Sequence, residues 1–197
     1  LRFNKIATET DALGNVTTYE YDVIGNLIKK TDAKGNITSY AYDAKGNVTE
    51  IEYSSGLVVN YTYDAVGNLL TTTSNAGENT VYTYDKVYNL TSVKYANGAI
   101  LSYTYDAMGR KLTEKDSSGA VTTYTYDALG RKSSITDAVG RKTEYTYDKN
   151  GNLLTEKTSN GGTTTYVYDA LDRQCKVTDA LGNSTIVEFD SVGNMLS

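Results

Sequence analysis

The 197-residue chain contains no histidine, no proline and no tryptophan, and Cys175 is its one cysteine. Without histidine, neither a Ser-His-Asp triad nor a Cys-His pair can form, and zinc sites that use histidine are excluded. Proline removes a hydrogen-bond donor from a β-ladder, so its absence is typical of strands inside a sheet. The composition therefore excludes the common forms of nucleophilic catalysis and favours a β-sheet protein.

Positive charge is also scarce. The chain has 19 Lys and Arg against 24 Asp and Glu, which gives a net charge of −5 and a pI near 4.8. Lys and Arg are scattered, whereas a nucleic-acid backbone or an anionic membrane attracts clusters of them. No segment reaches the ~20 apolar residues of a membrane-spanning helix. We therefore predict no nucleic-acid partner and no membrane insertion.

Tyrosine, by contrast, occurs 19 times and follows a 21-residue period. The pattern of segment Tyr103–Arg110, YTYDAMGR, is found nine times with no insertion or deletion, and Phe189 replaces the second tyrosine in the last copy. The first tyrosines of the clearest copies are Tyr19, Tyr40, Tyr61, Tyr103, Tyr124 and Tyr145, and the second are Tyr21, Tyr42, Tyr63, Tyr105, Tyr126 and Tyr147. The aspartates and glycines that follow are Asp22, Asp43, Asp64, Asp106, Asp127 and Asp148, and Gly25, Gly46, Gly67, Gly109, Gly130 and Gly151. Repetition this strict fixes the architecture, and we predict that these residues build it.

Each unit carries two turn signals. We name them the return turn, D-A-x-G as at Asp11–Gly14, and the YD turn, D-x-x-G as at Asp22–Gly25. Aspartate at the first position accepts amide hydrogen bonds, and glycine at the fourth can take a positive φ, which closes β-hairpins. The Thr- and Tyr-rich segments between the turns have a β composition, and the two tyrosines share one face because they are two residues apart. Helical spacing is absent.

An aliphatic residue in the second strand shows a longer period of 42 residues. In odd units it stands at Ile28, Leu70, Leu112, Leu154 and Leu196, and in even units two places later, at Ile51, Val93, Ile135 and Val177. Positions two apart share a face, so we predict that this residue shifts along the strand without changing face. The longer period indicates either a duplicated two-unit segment or alternating neighbours in the sheet.

The repeat predicts an all-β array of antiparallel β-hairpins. Nine units give about 18 strands of about seven residues, and open twisted sheets rarely exceed ~10 strands without curling or splitting. We therefore predict a curved or spiralling, shell-like sheet; a parallel β-helix with 21 residues per coil is the alternative. We expect one array over residues 1–197, uncapped at both ends, as a fragment of a longer chain. Exposed edge strands pair with other chains, so flanking regions should cover them or copies should join end to end.

The series Y-x-Y-D-x-x-G-[NR]-L, with a second strand that ends T-D-A-x-G-N as at Thr31–Asn36, resembles the tyrosine-aspartate (YD) repeats of the Rhs family. That family includes Rhs and wall-associated bacterial toxins, the B and C components of Tc toxins, and teneurins. The resemblance implies a spiralling sheet that forms a hollow shell, which encloses a C-terminal effector in the toxins and serves adhesion in teneurins. It also implies a secreted or cell-surface location in bacteria. The self-cleaving segment with aspartates that follows the toxin shells is not found after Asp190.

The repeated aspartates and tyrosines each allow two roles. Regular carboxylates could bind metal or act as acids and bases, but the turns already use them, and calcium needs several converging oxygens. Tyrosine rows could stack on sugar rings, yet they are also the main apolar material for a core. Tyr53 and Tyr95 replace return-turn aspartates and could extend an aromatic surface, and Tyr88, Asp172 and Val187 interrupt the pattern. We favour the structural roles and predict no catalytic, cofactor-binding or metal-binding residue.

The predicted function is a non-catalytic structural scaffold, a shell or extracellular assembly that encloses or displays a C-terminal toxin effector. An extracellular adhesion or carbohydrate-binding module and a self-assembling surface filament are the alternatives. The expected partners are further YD repeats of the same or another copy, an enclosed effector domain, and glycans.

Overall fold

The computed structural model describes residues 5–190 and 192–196 of the chain. These residues form β-strands and the turns between them, and they contain no helix that is long and apolar enough to cross a membrane. The chain divides into two compact units, residues 1–101 and 102–197. The prediction of an all-β array of hairpins is confirmed, whereas one continuous, curved body over the whole chain stays a prediction.

The strands follow the 21-residue period. In the first unit they are β1 (Thr8–Thr10), β2 (Val16–Tyr21), β3 (Leu27–Thr31), β4 (Ile37–Tyr42), β5 (Val48–Tyr53), β6 (Val58–Tyr63), β7 (Leu69–Ser74), β8 (Asn79–Tyr84) and β9 (Leu90–Lys94). The second unit holds most of β10 (Ile100–Tyr105), and then β11 (Lys111–Lys115), β12 (Val121–Tyr126), β13 (Lys132–Thr136), β14 (Lys142–Tyr147), β15 (Leu153–Lys157), β16 (Thr163–Tyr168), β17 (Gln174–Thr178), β18 (Ser184–Ile186), β19 (Glu188–Phe189) and β20 (Met195–Leu196).

Strands pair antiparallel with their neighbours in sequence. The ladder runs in order from β1 to β9 in the first unit and from β10 to β18 in the second, and β19 pairs with β20. This pairing is that of hairpins and not of a parallel β-helix. Val187, which replaces a first tyrosine, lies between β18 and β19 and divides that strand in two.

The hairpins closed by YD turns contain a β-bulge. In the hairpin of β8 and β9, the register shifts between Thr83 and Tyr84, and the opposite strand carries Thr91 as an extra residue. The Thr91 hydroxyl lies 3.0 Å from the Thr83 hydroxyl, on the face away from the tyrosines. We call this side the threonine face and the other side the tyrosine face. The same register shift recurs in the YD hairpins from β2 and β3 to β16 and β17.

The bulge corrects one prediction. In odd units the aliphatic residue occupies the extra position, as Ile28 does opposite the register shift of β2. In even units it lies directly opposite a first tyrosine, as Ile51 does opposite Tyr40. The expectation that this residue keeps its face is therefore wrong, because an extra residue breaks the two-residue alternation of the strand. Ile28 and Leu112 remain 37% exposed on the threonine face.

Side-chain burial is concentrated on the tyrosine face. Val93 is 6% exposed there, and the repeated tyrosines are half-buried throughout the described hairpins. Ser134, 3% exposed, is the matching buried residue of the threonine face, where its hydroxyl lies 2.7 Å from that of Thr125. The core is therefore made chiefly of half-buried aromatic rings, as the composition indicates.

Candidate functional site

The YD turn is closed by its aspartate. At Asp106, the backbone amide donates to the Arg110 carbonyl and the Gly109 amide donates back to the Asp106 carbonyl, both at 3.0 Å. The carboxylate oxygen Oδ1 accepts the amides of Met108 (2.9 Å) and Arg110 (3.0 Å), and Oδ2 accepts Arg110 Nε at 2.7 Å. Gly109 has a φ of 77°, a conformation that favours glycine. Both carboxylate oxygens are thus engaged inside the turn.

The residue after the glycine completes the turn, and it is either arginine or asparagine. Where it is asparagine, Nδ2 takes the place of the arginine Nε, as in the 2.8 Å bond from Asn47 to Asp43 Oδ2. The same bond is made by Asn26, Asn68, Asn89, Asn152 and Asn194. The hydrogen bond from Asn47 is the main reason that the pKa of Asp43 lies below its ordinary value. The sequence shows this Asn/Arg position, but its role as a clamp on the carboxylate is visible only in the structure.

Return turns that lack aspartate use other side chains. Tyr53 and Tyr95 occupy the first position, and the backbone still closes as in the other turns. The amide bond that a carboxylate would accept is taken by Ser55 Oγ (3.4 Å) and by Asn97 Oδ1 (3.0 Å). Tyr53 and Tyr95 are 38% and 41% exposed. Their rings thus offer aromatic surface, while Ser55 and Asn97 take over the hydrogen bond of the missing carboxylate.

The second tyrosines join neighbouring hairpins. Tyr42 donates its hydroxyl hydrogen to the Leu27 carbonyl of the preceding YD hairpin at 2.7 Å. The same bond to the carbonyl 15 residues earlier is made by Tyr21, Tyr63, Tyr84, Tyr126 and Tyr147. Burial raises the pKa of Tyr42, so its phenol stays protonated and remains a donor at neutral pH. These hydroxyl groups serve as structural donors between hairpins.

Arginines that complete YD turns contact an aromatic ring of the next hairpin. The guanidinium carbon of Arg110 lies 4.7 Å from the centre of the Tyr126 ring. Arg131 over Tyr147 (4.7 Å) and Arg173 over Phe189 (4.4 Å) repeat this cation–π arrangement. The Tyr126 and Tyr147 rings, whose hydroxyl groups donate to the preceding hairpin, are thus also covered by a cation from that hairpin, which favours the stacked geometry.

The first tyrosines alternate in their cross-strand partners. In even units the partner is aliphatic, in the pairs Tyr40–Ile51, Tyr82–Val93, Tyr124–Ile135 and Tyr166–Val177. In odd units it is polar or charged, in the pairs Tyr19–Lys30, Tyr61–Thr72, Tyr103–Glu114 and Tyr145–Glu156. The 42-residue period therefore corresponds to a real difference between alternate hairpins.

Two interruptions of the pattern replace the glycine of a YD turn. Tyr88 and Asp172 have φ values of 68° and 59°, which non-glycine residues rarely adopt. Asp172 compensates, since its Oδ1 accepts the side-chain amides of Asn150 (2.8 Å) and Asn152 (2.7 Å) from the preceding YD turn. In the sequence Asp172 is only an interruption of the pattern, and its link to the preceding turn is visible only in the structure.

Two clefts open between successive return turns. One, of about 460 Å³, is lined by Glu9, Asp11 and Asp32 among other residues. The other, of about 400 Å³, lies between the return turns that begin at Asp137 and Thr158. Within residues 5–190 and 192–196, no three Cys, Asp or Glu side chains are arranged as ligands of one metal ion. Both clefts are concave sites between return turns, and the repeated Tyr, Asp and Gly residues form the framework around them.

Comparison with known proteins gives a family. Residues 3–139 match the model of the Teneurin YD-shell, and residues 133–163 and 147–184 match that of the RHS Repeat. No curated protein sequence matches significantly.

Solved structures give the same fold. The structure of TcdB2-TccC3-Cdc42 superimposes with a TM-score of 0.70 at 21% identity, over 92% of this chain and 12% of that chain. TcdB2-TccC3 without its hypervariable C-terminal region gives 0.58 at 23%, over 91% and 10%. The Photorhabdus luminescens Tc holotoxin pore gives 0.56 at 23%, over 89% and 10%. The chain thus spans about a tenth of the length of these relatives. Since the YD-shell model covers more than half of the sequence, and the repeated turns and tyrosine ties agree with it, the chain belongs to the Teneurin YD-shell family.

Proposed function

We propose that the chain is a segment of the wall of a YD-repeat shell and has no catalytic role of its own. The observation that carries this proposal is the repeated tie between hairpins, in which a tyrosine such as Tyr42 donates to the preceding hairpin. Because the tie recurs every 21 residues, hairpins can be added to the array without a new kind of contact. A wall that has to cover a large surface needs this property.

The turn chemistry also supports a structural role. In carboxylates such as Asp106, both oxygens accept hydrogen bonds within their own turn. These carboxylates are therefore poorly placed to act as acids, bases or metal ligands. The family to which the chain belongs is itself one of structural shell repeats. A glycosidase, for comparison, needs two carboxylates that face each other across a substrate cleft.

The tips of the YD turns support the idea that further repeats cover this array. Their third residue is commonly a large apolar side chain that is 61–81% exposed: Ile24, Val66, Val87, Met108, Leu129, Leu171 and Val192. At return turns the corresponding exposed residues are Leu13, Val139 and Leu181. Large apolar side chains that recur in exposed positions at the turns are typical of a contact surface. We propose that YD repeats of the same or another copy pack there.

The remaining parts of the proposal come from the Rhs resemblance. In the complete protein the shell would be secreted or lie at the cell surface of a bacterium, and it would enclose or display a C-terminal toxin effector. The effector would then be the main partner of the wall, together with neighbouring repeats.

Cryo-electron microscopy of the full-length protein that contains this segment tests the proposal. We expect closed hollow particles, with these hairpins in the wall. Continuous fibres with a repeat that matches hairpin stacking would instead support the self-assembling filament. A compact particle without an internal cavity would contradict both.

A second candidate is an extracellular adhesion or carbohydrate-binding module. It is favoured by the exposure of Tyr53 and Tyr95, which are not needed to close their turns and present aromatic surface. Tyrosine supplies both a ring face and a hydroxyl group for sugars. A glycan array tests this candidate: we expect binding that is lost in Tyr53→Ala and Tyr95→Ala, and an array without any signal would exclude it.

A further inference from the structure

Two lysines interrupt an apolar row on the tyrosine face. The strand that follows each YD turn begins opposite the second tyrosine of its hairpin, and in most units its first residue is aliphatic: Leu27, Val48, Leu69, Leu90 and Leu153. In two successive units this residue is Lys111, opposite Tyr105, and Lys132, opposite Tyr126. The carbonyl groups of both lysines still accept the tyrosine bond of the next hairpin. The lysines therefore keep the backbone pattern and bring positive charge to this face.

The two lysines differ in their partners. The Lys111 ammonium lies 3.0 Å from the Glu114 carboxylate and 4.8 Å from the centre of the Tyr103 ring. The Lys132 side chain is half-buried, and its ammonium lies 5.1 Å from the centre of the Tyr124 ring. It makes no ion pair with any carboxylate that the structure describes. Since a ring gives an ammonium less stabilisation than an opposite charge does, Lys132 can accept a carboxylate from outside the array.

A second cation stands at the other end of the same strand. Arg141 completes the return turn that follows β13, where its Nε donates to Asp137 Oδ2 at 2.6 Å. The two Nη atoms carry four of the five N–H donors of a guanidinium, and here they make no hydrogen bond to another described residue. The Arg141 side chain is 75% exposed. Its free fork is therefore open to the two oxygens of a carboxylate.

An apolar surface lies between the two cations. Ile135 of β13 is half-buried opposite Tyr124, and it lines the cleft of about 400 Å³ that Arg141 also lines. The opposite wall of this cleft carries no carboxylate and consists of Thr158, Ser159 and Asn160. The tyrosine face of β13 thus presents, in this order, an ammonium, an apolar side chain and a guanidinium.

The return-turn cleft of the first unit has the opposite charge. Its lining contains Glu9, Asp11 and Asp32 against a single lysine, Lys34. An acidic ligand would be repelled there, because like charges that approach without a counter-ion are destabilising. The arrangement at β13 is therefore a local feature and not a general property of the hairpins.

We infer that the tyrosine face of β13 binds an extended acidic segment of a protein partner. One carboxylate of the segment lies on Lys132, an apolar side chain lies on Ile135, and a second carboxylate lies on the Nη fork of Arg141. Alternate side chains of an extended segment point to the same side, so the order acidic-x-apolar-x-acidic fits this face. The apolar contact between the cations and the net charge of −5 of the whole chain favour protein carboxylates over a nucleic-acid backbone.

The site is expected to be weak and salt-sensitive. Each ion pair is partly exposed to water and contributes a factor of about three to five in affinity. Affinity in the millimolar range is therefore expected for a short segment, and it should fall as the salt concentration rises. The inference concerns one face of one hairpin, so the shape of the full-length particle neither supports nor removes it.

Titration of the 197-residue chain with a blocked peptide of sequence ETVTE, followed by NMR, tests the inference. We expect chemical-shift changes centred on β13. The neutral peptide QTVTQ should bind at least about tenfold more weakly, because both ion pairs are lost. Lys132→Gln and Arg141→Asn should each weaken the binding of ETVTE about three- to fivefold.

Both variants should keep the fold, because other units carry the new residue at the same position. Gln174 stands opposite Tyr168 as Lys132 stands opposite Tyr126. Asn183 completes its return turn through a 2.8 Å bond to the turn aspartate, as Arg141 does through Nε.

Lys142→Gln provides the matched control. It removes a lysine that pairs at 2.6 Å with Glu144, which lies opposite Ser134 on the threonine face, and it should leave binding unchanged. Equal binding of ETVTE and QTVTQ would overturn the inference, and so would the absence of binding in the millimolar range. Unchanged affinity in Lys132→Gln or Arg141→Asn, or an equal loss in Lys142→Gln, would contradict the contact at two points. A thymidine oligonucleotide that binds more tightly than ETVTE would assign the face to nucleic acid instead.

Discussion

The guanidinium of Arg131 lies 4.7 Å from the centre of the Tyr147 ring, which belongs to the next hairpin. The same side chain donates from Nε to Asp127 at 2.7 Å and from Nη1 to the Asp148 carbonyl at 2.6 Å. One residue therefore completes its own turn, covers the neighbouring ring and bonds the neighbouring turn. Stability in this array depends on such contacts between hairpins more than on a deep core.

Replacement of Arg131 separates these contributions. Arg131→Asn keeps the bond to the aspartate, as Asn68 does in its own turn, but loses the ring contact and the Asp148 bond. We expect it to lower the free energy of unfolding by about 1–2 kcal/mol. Arg131→Ala should cost about 1 kcal/mol more, because the turn also loses its clamp. Urea unfolding measured by tyrosine fluorescence gives both values, and equal losses would show that the clamp contributes nothing.

The two tyrosines of one strand provide a matched pair. Tyr42→Phe removes the hydroxyl that donates to the Leu27 carbonyl, which leaves that acceptor unpaired. We expect a loss of about 1 kcal/mol in the free energy of unfolding. Tyr40→Phe, in the same strand, should change it by less than half as much, because the Tyr40 ring contributes mainly through its contact with Ile51. Similar losses for the two variants would contradict the proposed tie between hairpins.

Two turn glycines distinguish strain from contact. Gly46 has a φ of 88° with open space where a Cβ would lie, so Gly46→Ala tests backbone strain alone, about 1–2 kcal/mol. Gly130 has a φ of 81°, and a Cβ there would lie 3.3 Å from Arg110 Nη1. Gly130→Ala should therefore destabilise more than Gly46→Ala. Thermal unfolding of both variants gives the comparison, and the opposite order would show that Arg110 moves aside at no cost.

Two residues that are not glycine, Tyr88 and Asp172, have a left-handed backbone conformation, and their replacement by glycine tests whether the strain can be relieved. Tyr88→Gly relieves the strain of a φ of 68° and should raise the free energy of unfolding by about 1 kcal/mol. Asp172→Gly relieves similar strain but removes the acceptor of Asn150 and Asn152, so we expect little or no gain. Chemical denaturation of the two variants decides the matter. An equal gain for both would mean that the Asp172 link is not stabilising.

Acid should destabilise the array over a narrow range of pH. Hydrogen bonds from the turn asparagines lower the pKa of Asp32, Asp43 and Asp64 below the ordinary value of 3.8. A lowered pKa in the folded state means that stabilisation is complete above 3.8 and is lost as pH falls through the folded-state value. The midpoint temperature of thermal unfolding should therefore stay constant between about pH 5 and 8, the range in which histidine would titrate. It should decrease when the pH drops below about 4.

One variant provides the control for this pH dependence. Asp64→Asn removes one titrating turn carboxylate and should reduce the acid-dependent fall of the midpoint, at the cost of a lower midpoint at neutral pH. Circular dichroism at a series of pH values measures both effects. A midpoint that falls already between pH 7 and 5 would contradict the assignment of acid sensitivity to these carboxylates.

The features that the sequence predicts well are local. The aspartate and glycine of each turn determine its conformation within four residues, so the hairpins and their period follow from the pattern alone. The β-bulge is different, because Thr91 has the composition of an ordinary strand residue and only its register against Thr83 reveals it. For this reason the face of Ile28 was predicted wrongly although its strand was predicted correctly.

Contacts between units are the other part that the sequence does not reveal. Tyr40 and Tyr42 look equivalent in the repeat, yet one contacts Ile51 and the other bonds a backbone carbonyl. Asp172 and its partner Asn150 depart from the pattern in adjacent YD turns, 22 residues apart. Two departures from the pattern in adjacent turns are a sign in the sequence that these residues interact. Whether they can form a hydrogen bond depends on how closely the two turns approach each other.

The direction of the tyrosine bond has a consequence for biosynthesis. Tyr42 bonds to Leu27, so the donor belongs to the later hairpin and the acceptor to the earlier one, and the other bonds of this series run the same way. A hairpin that has just left the ribosome therefore finds its acceptor already in place on the hairpin made before it. The array can be completed in the order of translation, because each addition needs only its predecessor and never a segment that is still to be synthesised.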